Sequence, residues 1–168
     1  MREEGVDIVS TTRERELEQI SELGQFDVVL AAAVIEHVPH TPRPLLETLF
    51  RAVRPGGLVV LDTPNVARYW NRCALERGET IFQPLADQYG SEPPWEGHHR
   101  EFTGAELRWM LERVECEDIE VEYLDYNMLQ FDELSVEHTV CLAKIVDDPA
   151  QSDTLLAAGR RPDLRNVR

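Results

Sequence analysis

The residues best suited to catalytic chemistry are an adjacent acid and base, Glu36 and His37, at the end of an apolar run. A neutral imidazole can take a proton from a hydroxyl near neutral pH, so His37 is a candidate general base. Glu36 is a candidate for catalysis or for positioning a substrate. A loop histidine that caps a strand end by hydrogen bonding is an equally good interpretation of His37.

A second group of polar and aromatic side chains follows in the second half of the chain. His98 and His99 come just before a predicted helix, and orienting that loop would explain at least one of them. Aromatic side chains nearby could line a pocket or pack the segment onto the core. The candidate substrate-binding residues are Asn65, Tyr89, Trp95, His98 and His99.

The elements around Glu36 predict an α/β fold with a parallel sheet. The run "FDVVLAAA" from Phe26 is Val-rich and continuously apolar apart from Asp27, which is typical of a strand covered on both faces. Thr41 and Pro42 predict a helix start, and Pro-Gly-Gly at 55–57 predicts its end before a second apolar strand, "LVVLDTPN". Strand, helix and strand with short links form a right-handed crossover.

The remaining segments are less regular. Residues 1–25 predict a short strand and a helix, and residues 66–100 an irregular insertion with one helix. Thr103 and Glu106 form a capping-box pattern that predicts a helix start. We expect strands in "IEVEYLDY" and "HTVCLAKIV", and a mobile extension over residues 147–168.

Charge and composition exclude several classes of function. The net charge of -15 argues against nucleic acid and anionic membranes as partners, because both attract Lys and Arg. Three cysteines without CxxC spacing suit neither a disulfide framework nor a zinc site, and they favour a reducing cytoplasm. We see no signal peptide and no apolar run of about 20 residues.

The order of these motifs resembles class I S-adenosylmethionine-dependent methyltransferases. The stretch "FDVVLAAAVIEHVPH…LLETLFRAVRPGGLVVLDTPN" is similar to the fourth strand, next helix and fifth strand of that family. The later "HHREFTGAEL" is similar to a branch with an insertion after the fifth strand. The resemblance covers residues 26–146 and implies a Rossmann-like, doubly wound sheet. It also implies methyl transfer to a small-molecule acceptor, through a hydroxyl, with Ala31, Ala32 and Ala33 beside the cofactor.

The chain departs from the family pattern in two places. No Gly-x-Gly-x-Gly turn is present, so we expect a fold lacking the first strand and the glycine-rich loop, the C-terminal portion of an enzyme, with weak or absent S-adenosylmethionine binding. Asp7 would bind the ribose if "GVDIV" is the second strand, although the spacing to Phe26 suits a third strand better. A metal-binding subgroup carries E-x-x-E-H, but Ala33 replaces the first carboxylate, so no metal is expected.

Two other interpretations stay open at this point. The chain could be a non-enzymatic relic that acts as a partner subunit, as a homodimer or with another protein, through an exposed sheet edge. Another dinucleotide-binding enzyme, such as a dehydrogenase, could share the crossover, but the first 25 residues lack its fingerprint.

Overall fold

The computed structural model describes residues 25–126 and 135–163, and in them four strands form one mixed sheet. The strands are β1 (Phe26–Ala32), β2 (Val53–Pro64), β3 (Glu117–Leu124) and β4 (Thr154–Arg160). Their order across the sheet is β1-β2-β4-β3. β1 and β2 are parallel, and β4 is antiparallel to both of its neighbours. The α/β fold class is confirmed, but the expectation of a parallel sheet holds only for β1 and β2, since β4 runs antiparallel to both of its neighbours.

The predicted strand-helix-strand unit is present as β1, α1 (Arg43–Ala52) and β2. The backbone N–H of Arg43 donates to the Thr41 hydroxyl at 3.4 Å, at the helix start that Thr41 and Pro42 predict. Leu45, Leu46 and Leu49 are buried, since they share the helix face that packs on the sheet. The helix ends at Ala52, and Pro-Gly-Gly at 55–57 lies inside β2 rather than in a separate turn.

Helices α2 (Tyr69–Glu76) and α3 (Leu85–Gly90) lie in the segment expected to be an insertion. Helix α4 (Gly104–Arg113) begins with the predicted capping box, in which Thr103 and Glu106 exchange hydrogen bonds. The next strand, β3, contains most of the predicted "IEVEYLDY" strand. The capping box therefore fixes the start of α4 directly after the loop that carries His98 and His99, which we call the histidine loop.

The prediction of a strand in "HTVCLAKIV" is wrong, because residues Val136–Asp147 form helix α5. Ser135 caps this helix, its hydroxyl accepting from the backbone N–H of His138 and its own N–H donating to the His138 ring at 3.3 Å. The periodicity of a short, Val-rich apolar run does not distinguish a strand from a helix. Here the Ser135 cap stabilises the helix.

The expectation of a mobile extension over residues 147–168 is also wrong where the structure describes it. β4 lies between β2 and β3, with Leu155 and Ala157 fully buried. The sequence "TLLAAGR" hides this strand because Ala and Gly are poor strand formers. A strand position at the middle of the sheet, paired on both sides, overrides that local preference.

One face of the sheet carries the hydrophobic core. Val59 and Leu61 of β2 and Leu155 of β4 are fully buried with Leu107 and Leu111 of α4. Residues 1–24, with the predicted N-terminal strand, helix and Asp7, lie outside the described residues. Within the described ranges, no helix is long and apolar enough to cross a membrane.

Candidate active site

The site is built where β1 and β2 end, at one edge of the sheet. After β1, Ala33 adopts a left-handed conformation with φ of 50°, and its N–H donates to the Asp62 carbonyl at 3.0 Å. The chain then forms a short 3-10 turn, Ile35–His37. Ligands of open α/β sheets bind beyond the carboxyl ends of the strands, so this turn faces the expected site.

Glu36 is buried, with 1% of its surface exposed, and links three parts of the site. The Thr63 hydroxyl at the end of β2 donates to Glu36 Oε2 at 3.0 Å. The Glu36 carbonyl accepts from the backbone N–H of His99 at 2.7 Å and from that of Arg100 at 3.3 Å. Among the described residues, Glu36 Oε1 has no hydrogen-bond partner. Glu36 thus joins both strand ends to the histidine loop and leaves one carboxylate oxygen unused.

His37 is held in a defined orientation by the backbone of the loop. Its Nδ1 lies 2.8 Å from the carbonyl oxygen of Glu96. A carbonyl only accepts, so in this arrangement Nδ1 carries the proton. In the neutral ring, Nε2 then has a free lone pair, which is what a general base or a metal ligand requires.

His98 is held in the same way by a carboxylate. Its Nδ1 lies 3.1 Å from Glu101 Oε1, and the Arg68 guanidinium donates to both oxygens of Glu101. Glu101 is 13% exposed and Arg68 22% exposed, so the ion pair is largely shielded from water. Neither residue is predicted from the sequence to belong to the site, although Glu101 stands three positions after His98 in the "HHRE" motif.

The two rings meet, and Glu36 completes a small cluster. The His37 and His98 ring centroids are 4.8 Å apart with an interplanar angle of 86°. One nitrogen from each ring and one oxygen of Glu36 lie within 4.8 Å of one another. The fold therefore brings together three predicted site residues that come from two distant segments of the chain.

Two cavities adjoin this cluster. The larger, of about 760 Å³, is lined by the polar residues His98, His99 and Glu101 and by the apolar residues Val66 and Ile81. The smaller, of about 290 Å³, is lined by Trp95 together with His98 and His99. The predicted substrate-binding residues Trp95, His98 and His99 therefore lie beside open volume.

The other predicted substrate-binding residues are not brought to these cavities. Asn65 is 1% exposed, and its amide donates to the Ala150 and Ser152 carbonyls and accepts from the Ala67 N–H. It holds the chain after β2 against the segment before β4. Tyr89, on α3, is 90% exposed and lines neither cavity.

The three alanines at the end of β1 differ in exposure. Ala31 is buried in the core, whereas Ala32 and Ala33 are exposed. Ala32 pairs with Asp62, whose carboxyl pKa is raised by burial. The exposed alanines leave the backbone of the strand end open to a flat ligand.

The comparisons with known proteins agree with this fold. A family model described as a methyltransferase domain matches residues 2–121. A SAM-dependent methyltransferase structure from Archaeoglobus fulgidus is 14% identical, with a TM-score of 0.56 over 95% of this chain and 69% of that chain. A second, from Thermotoga maritima, is 14% identical, with a TM-score of 0.52 over 82% of this chain and 56% of that chain. No curated protein matches the sequence.

The family match spans well over half of the chain, and the structural matches support the same fold. The chain therefore belongs to the class I S-adenosylmethionine-dependent methyltransferase family. It spans about half to two thirds of the length of the two solved structures.

Proposed function

We propose that the protein supports S-adenosylmethionine-dependent methyl transfer to the hydroxyl of a small-molecule acceptor. The observation that carries this proposal is the hydrogen bonding of His37 and His98. Each Nδ1 is held by an oxygen acceptor, so each Nε2 is free to take a proton. His98 lines a cavity large enough for a small molecule.

The cofactor fits the part of the site that the structure describes. Ala32 and Ala33 would lie against it, because both are exposed and neither has a side chain beyond Cβ. When bound, S-adenosylmethionine supplies a methyl group attached to a positively charged sulfur, and S-adenosylhomocysteine leaves. The sequence has no Gly-x-Gly-x-Gly segment, so we expect this chain alone to bind the cofactor weakly.

The residues of this chain act on the acceptor. His37 Nε2 takes the proton of the acceptor hydroxyl, and the Glu96 carbonyl holds the ring in the tautomer that leaves Nε2 free. Glu36 is buried and accepts from Thr63, so we assign it to positioning the loop rather than to proton transfer. Fixing the acceptor next to this base provides much of the rate enhancement.

The lining of the cavity indicates the class of acceptor. Val66 and Ile81 contribute apolar surface to a cavity that the polar histidines also line, which suits a molecule with an apolar body and one hydroxyl. The net charge of -15 disfavours polyanionic acceptors. We therefore expect an uncharged or cationic small molecule and no nucleic-acid substrate.

The test is a methyl-transfer assay on the 168-residue chain at a millimolar concentration of S-adenosylmethionine. Phenols, sugars and small alcohols are compared with matched amines, and S-adenosylhomocysteine is measured by mass spectrometry. We expect turnover with a hydroxyl acceptor and a loss of about 10²- to 10⁴-fold in His37→Gln. His40→Gln is the control, since His40 is an exposed loop histidine whose ring, among the described residues, bonds to the carbonyl of the adjacent Thr41. Turnover confined to amines would contradict the hydroxyl assignment.

A second candidate function follows from the outer strand of the sheet. Phe26, Val28 and Leu30 of β1 are 42%, 53% and 57% exposed, and within the described residues β1 pairs with β2 alone. An apolar strand with a free edge can pair with a second copy of the chain. The protein would then be a non-enzymatic partner subunit. Light scattering that gives a monomer, together with acceptor turnover, would exclude this candidate.

A further inference from the structure

We propose that Glu36, His37 and His98 form a binding site for one divalent transition-metal ion. One potential ligand atom from each of the three residues lies within 4.8 Å of the others. Two imidazoles and one carboxylate are the ligand set of many zinc and non-haem iron sites in enzymes. His37 and Glu36 come from the turn after β1, and His98 comes from the loop before α4.

Each of the three side chains is oriented by a second residue, as metal ligands usually are. His37 donates its Nδ1–H to the Glu96 carbonyl, and His98 donates its Nδ1–H to the Glu101 carboxylate. Histidine ligands of metals typically donate their other ring N–H to a carbonyl or carboxylate, which fixes the tautomer and makes the free nitrogen a better ligand. Thr63 donates to Glu36 Oε2 and fixes that carboxylate in turn.

The unused oxygen of Glu36 is an independent observation that points to a ligand. Glu36 is 1% exposed, and within the described part of the chain its Oε1 has no hydrogen-bond partner. A buried carboxylate oxygen without a partner is costly, because it has lost its water and gained nothing in return. A cation bound to Oε1 removes that cost.

This ligand set differs from that of the E-x-x-E-H motif. In that motif all the ligands lie at the end of β1, and the lack of a carboxylate at position 33 argues against a metal there. The structure brings in His98 from a distant loop, held near Glu36 by the hydrogen bond from the His99 N–H to the Glu36 carbonyl. His98 takes the place of the ligand that Ala33 does not offer.

The site would extend the proposed function and rests on it for its catalytic role. Three protein ligands leave a coordination position open, as in catalytic zinc sites. A bound metal lowers the pKa of a coordinated water to about 7, and an acceptor hydroxyl at the same position would lose its proton more easily. Its oxygen would then form the bond to the methyl carbon as the sulfur–carbon bond breaks, with the proton passing to solvent. In that state His37 is a ligand and the metal replaces it as the activating group.

The first experiment measures metal binding directly in the full chain. Zn²⁺ is titrated by calorimetry, and Co²⁺ by visible absorption, after treatment with a chelator. We expect one equivalent of each to bind, and Zn²⁺ at about one hundred times its Kd to raise Tm by roughly 5 to 10 °C. In ¹⁵N NMR spectra, Zn²⁺ should shift the Nε2 signals of two histidines. Absence of binding, or a cobalt spectrum dominated by thiolate charge transfer, would overturn the proposal.

Variants then locate the site. Glu36→Gln and His98→Gln should each weaken Zn²⁺ binding by more than about tenfold, and Glu101→Gln, which changes only the residue that orients His98, by about tenfold. His40→Gln should bind as the unchanged protein does, because His40 lies outside the cluster. If a ligand variant fails to fold, the ¹⁵N shifts of the unchanged protein still decide the assignment. Unchanged affinity in folded Glu36→Gln and His98→Gln would contradict the proposed site.

The proposal of a metal site and the proposal of methyl transfer can be disproved independently of each other. Metal binding is measured without cofactor or acceptor, so inactivity of the chain does not affect it. Methyl transfer that persists unchanged in a chelator, with no metal bound, would leave the general-base mechanism in place and exclude a catalytic role for the metal. Metal binding without turnover would leave the site and remove its catalytic role.

Discussion

His37 and His98 lie edge to face, with ring centroids 4.8 Å apart and an interplanar angle of 86°. The two rings belong to separate segments, the turn after β1 and the loop before α4. The His99 N–H donates to the Glu36 carbonyl and joins these two segments, and the Glu101–Arg68 ion pair ties the loop before α4 to the segment after β2. The geometry of the site therefore depends on how firmly the histidine loop is attached to the sheet.

The ion pair between Arg68 and Glu101 should contribute measurably to stability. Glu101→Ala removes a shielded carboxylate that accepts from both Arg68 and His98. We expect the free energy of unfolding, measured in urea, to fall by about 1.5–3 kcal/mol. Glu79→Ala is the matched control, since the Arg77–Glu79 pair is more than half exposed and should leave stability unchanged. Equal effects of the two substitutions would contradict this account.

β4 should be essential to the fold, although its sequence pattern does not predict a strand. Leu155 is fully buried, so Leu155→Ala should lower the free energy of unfolding by about 2–5 kcal/mol. Leu156→Ala changes the neighbouring side chain on the other face of the strand, which is half-buried, and should cost clearly less. Urea denaturation of both variants checks this. Similar small losses would mean that β4 is not part of the core.

The unit β1-α1-β2 could be predicted from sequence because each of its elements carries a strong local pattern. The Val-rich run from Phe26, the Leu stripe at Leu45, Leu46 and Leu49, and the second apolar run form the predicted strand, helix and strand. The prediction that β1 is covered on both faces is wrong within the described residues, since Val28 and Leu30 are 53% and 57% exposed. β4 and α5 could not be predicted, for opposite reasons. β4 contains two Ala and one Gly, which are poor strand formers, and it is a strand because it pairs with a neighbour on both sides. α5 is a Val-rich run that suits a strand as well as a helix, and the Ser135 cap favours the helix.

The site could be predicted only in part. Glu36, His37 and His98 stand out by residue type, but their convergence depends on a loop whose position is set by long-range hydrogen bonds. Asn65 has the type of a substrate-binding residue, yet its amide is fully used by three backbone groups. A sequence pattern does not distinguish a polar side chain facing a cavity from one that satisfies buried backbone.

Gly57 should tolerate no side chain, because β1 and β2 approach each other closely there. A Cβ at Gly57 would lie 2.6 Å from the backbone oxygen of Asp27 and 2.7 Å from Val53 Cγ2. We expect Gly57→Ala to lower stability by about 1–3 kcal/mol through forced backbone shifts. Gly90→Ala, where no atom lies within 4 Å of the added Cβ, should be close to neutral. Comparison of the two Tm values checks this, and a neutral Gly57→Ala would show that the strands can separate.

The capping box of α4 should make stability depend on pH. Burial acts to raise the pKa of Glu106, but the Thr103 N–H, the Arg100 guanidinium and the Thr103 hydroxyl outweigh it, so the pKa is lowered below its ordinary 4.5. A lowered pKa in the folded state stabilises the protein above the ordinary pKa, and this contribution disappears as pH falls through the lowered value. The difference in unfolding free energy between the unchanged protein and Glu106→Gln should therefore be largest near neutral pH and vanish in acid. A difference that stays constant with pH would contradict the role of the charge.

The three cysteines should differ sharply in reactivity, and this tests the placement of α5. All three are free thiols, but Cys116 and Cys141 are buried, and burial raises the pKa of each to about 11. Only the thiolate reacts, so at pH 8 both should react with a disulfide reagent about 200-fold more slowly than a thiol of ordinary pKa near 8.5. Cys73 is half-buried and should be the first to react. We expect one fast equivalent in the folded protein and three after denaturation, with the fast phase lost in Cys73→Ser. Rapid reaction of Cys141 would mean that α5 does not bury it, since a strand or a detached helix over residues 136–147 would leave that thiol open to solvent.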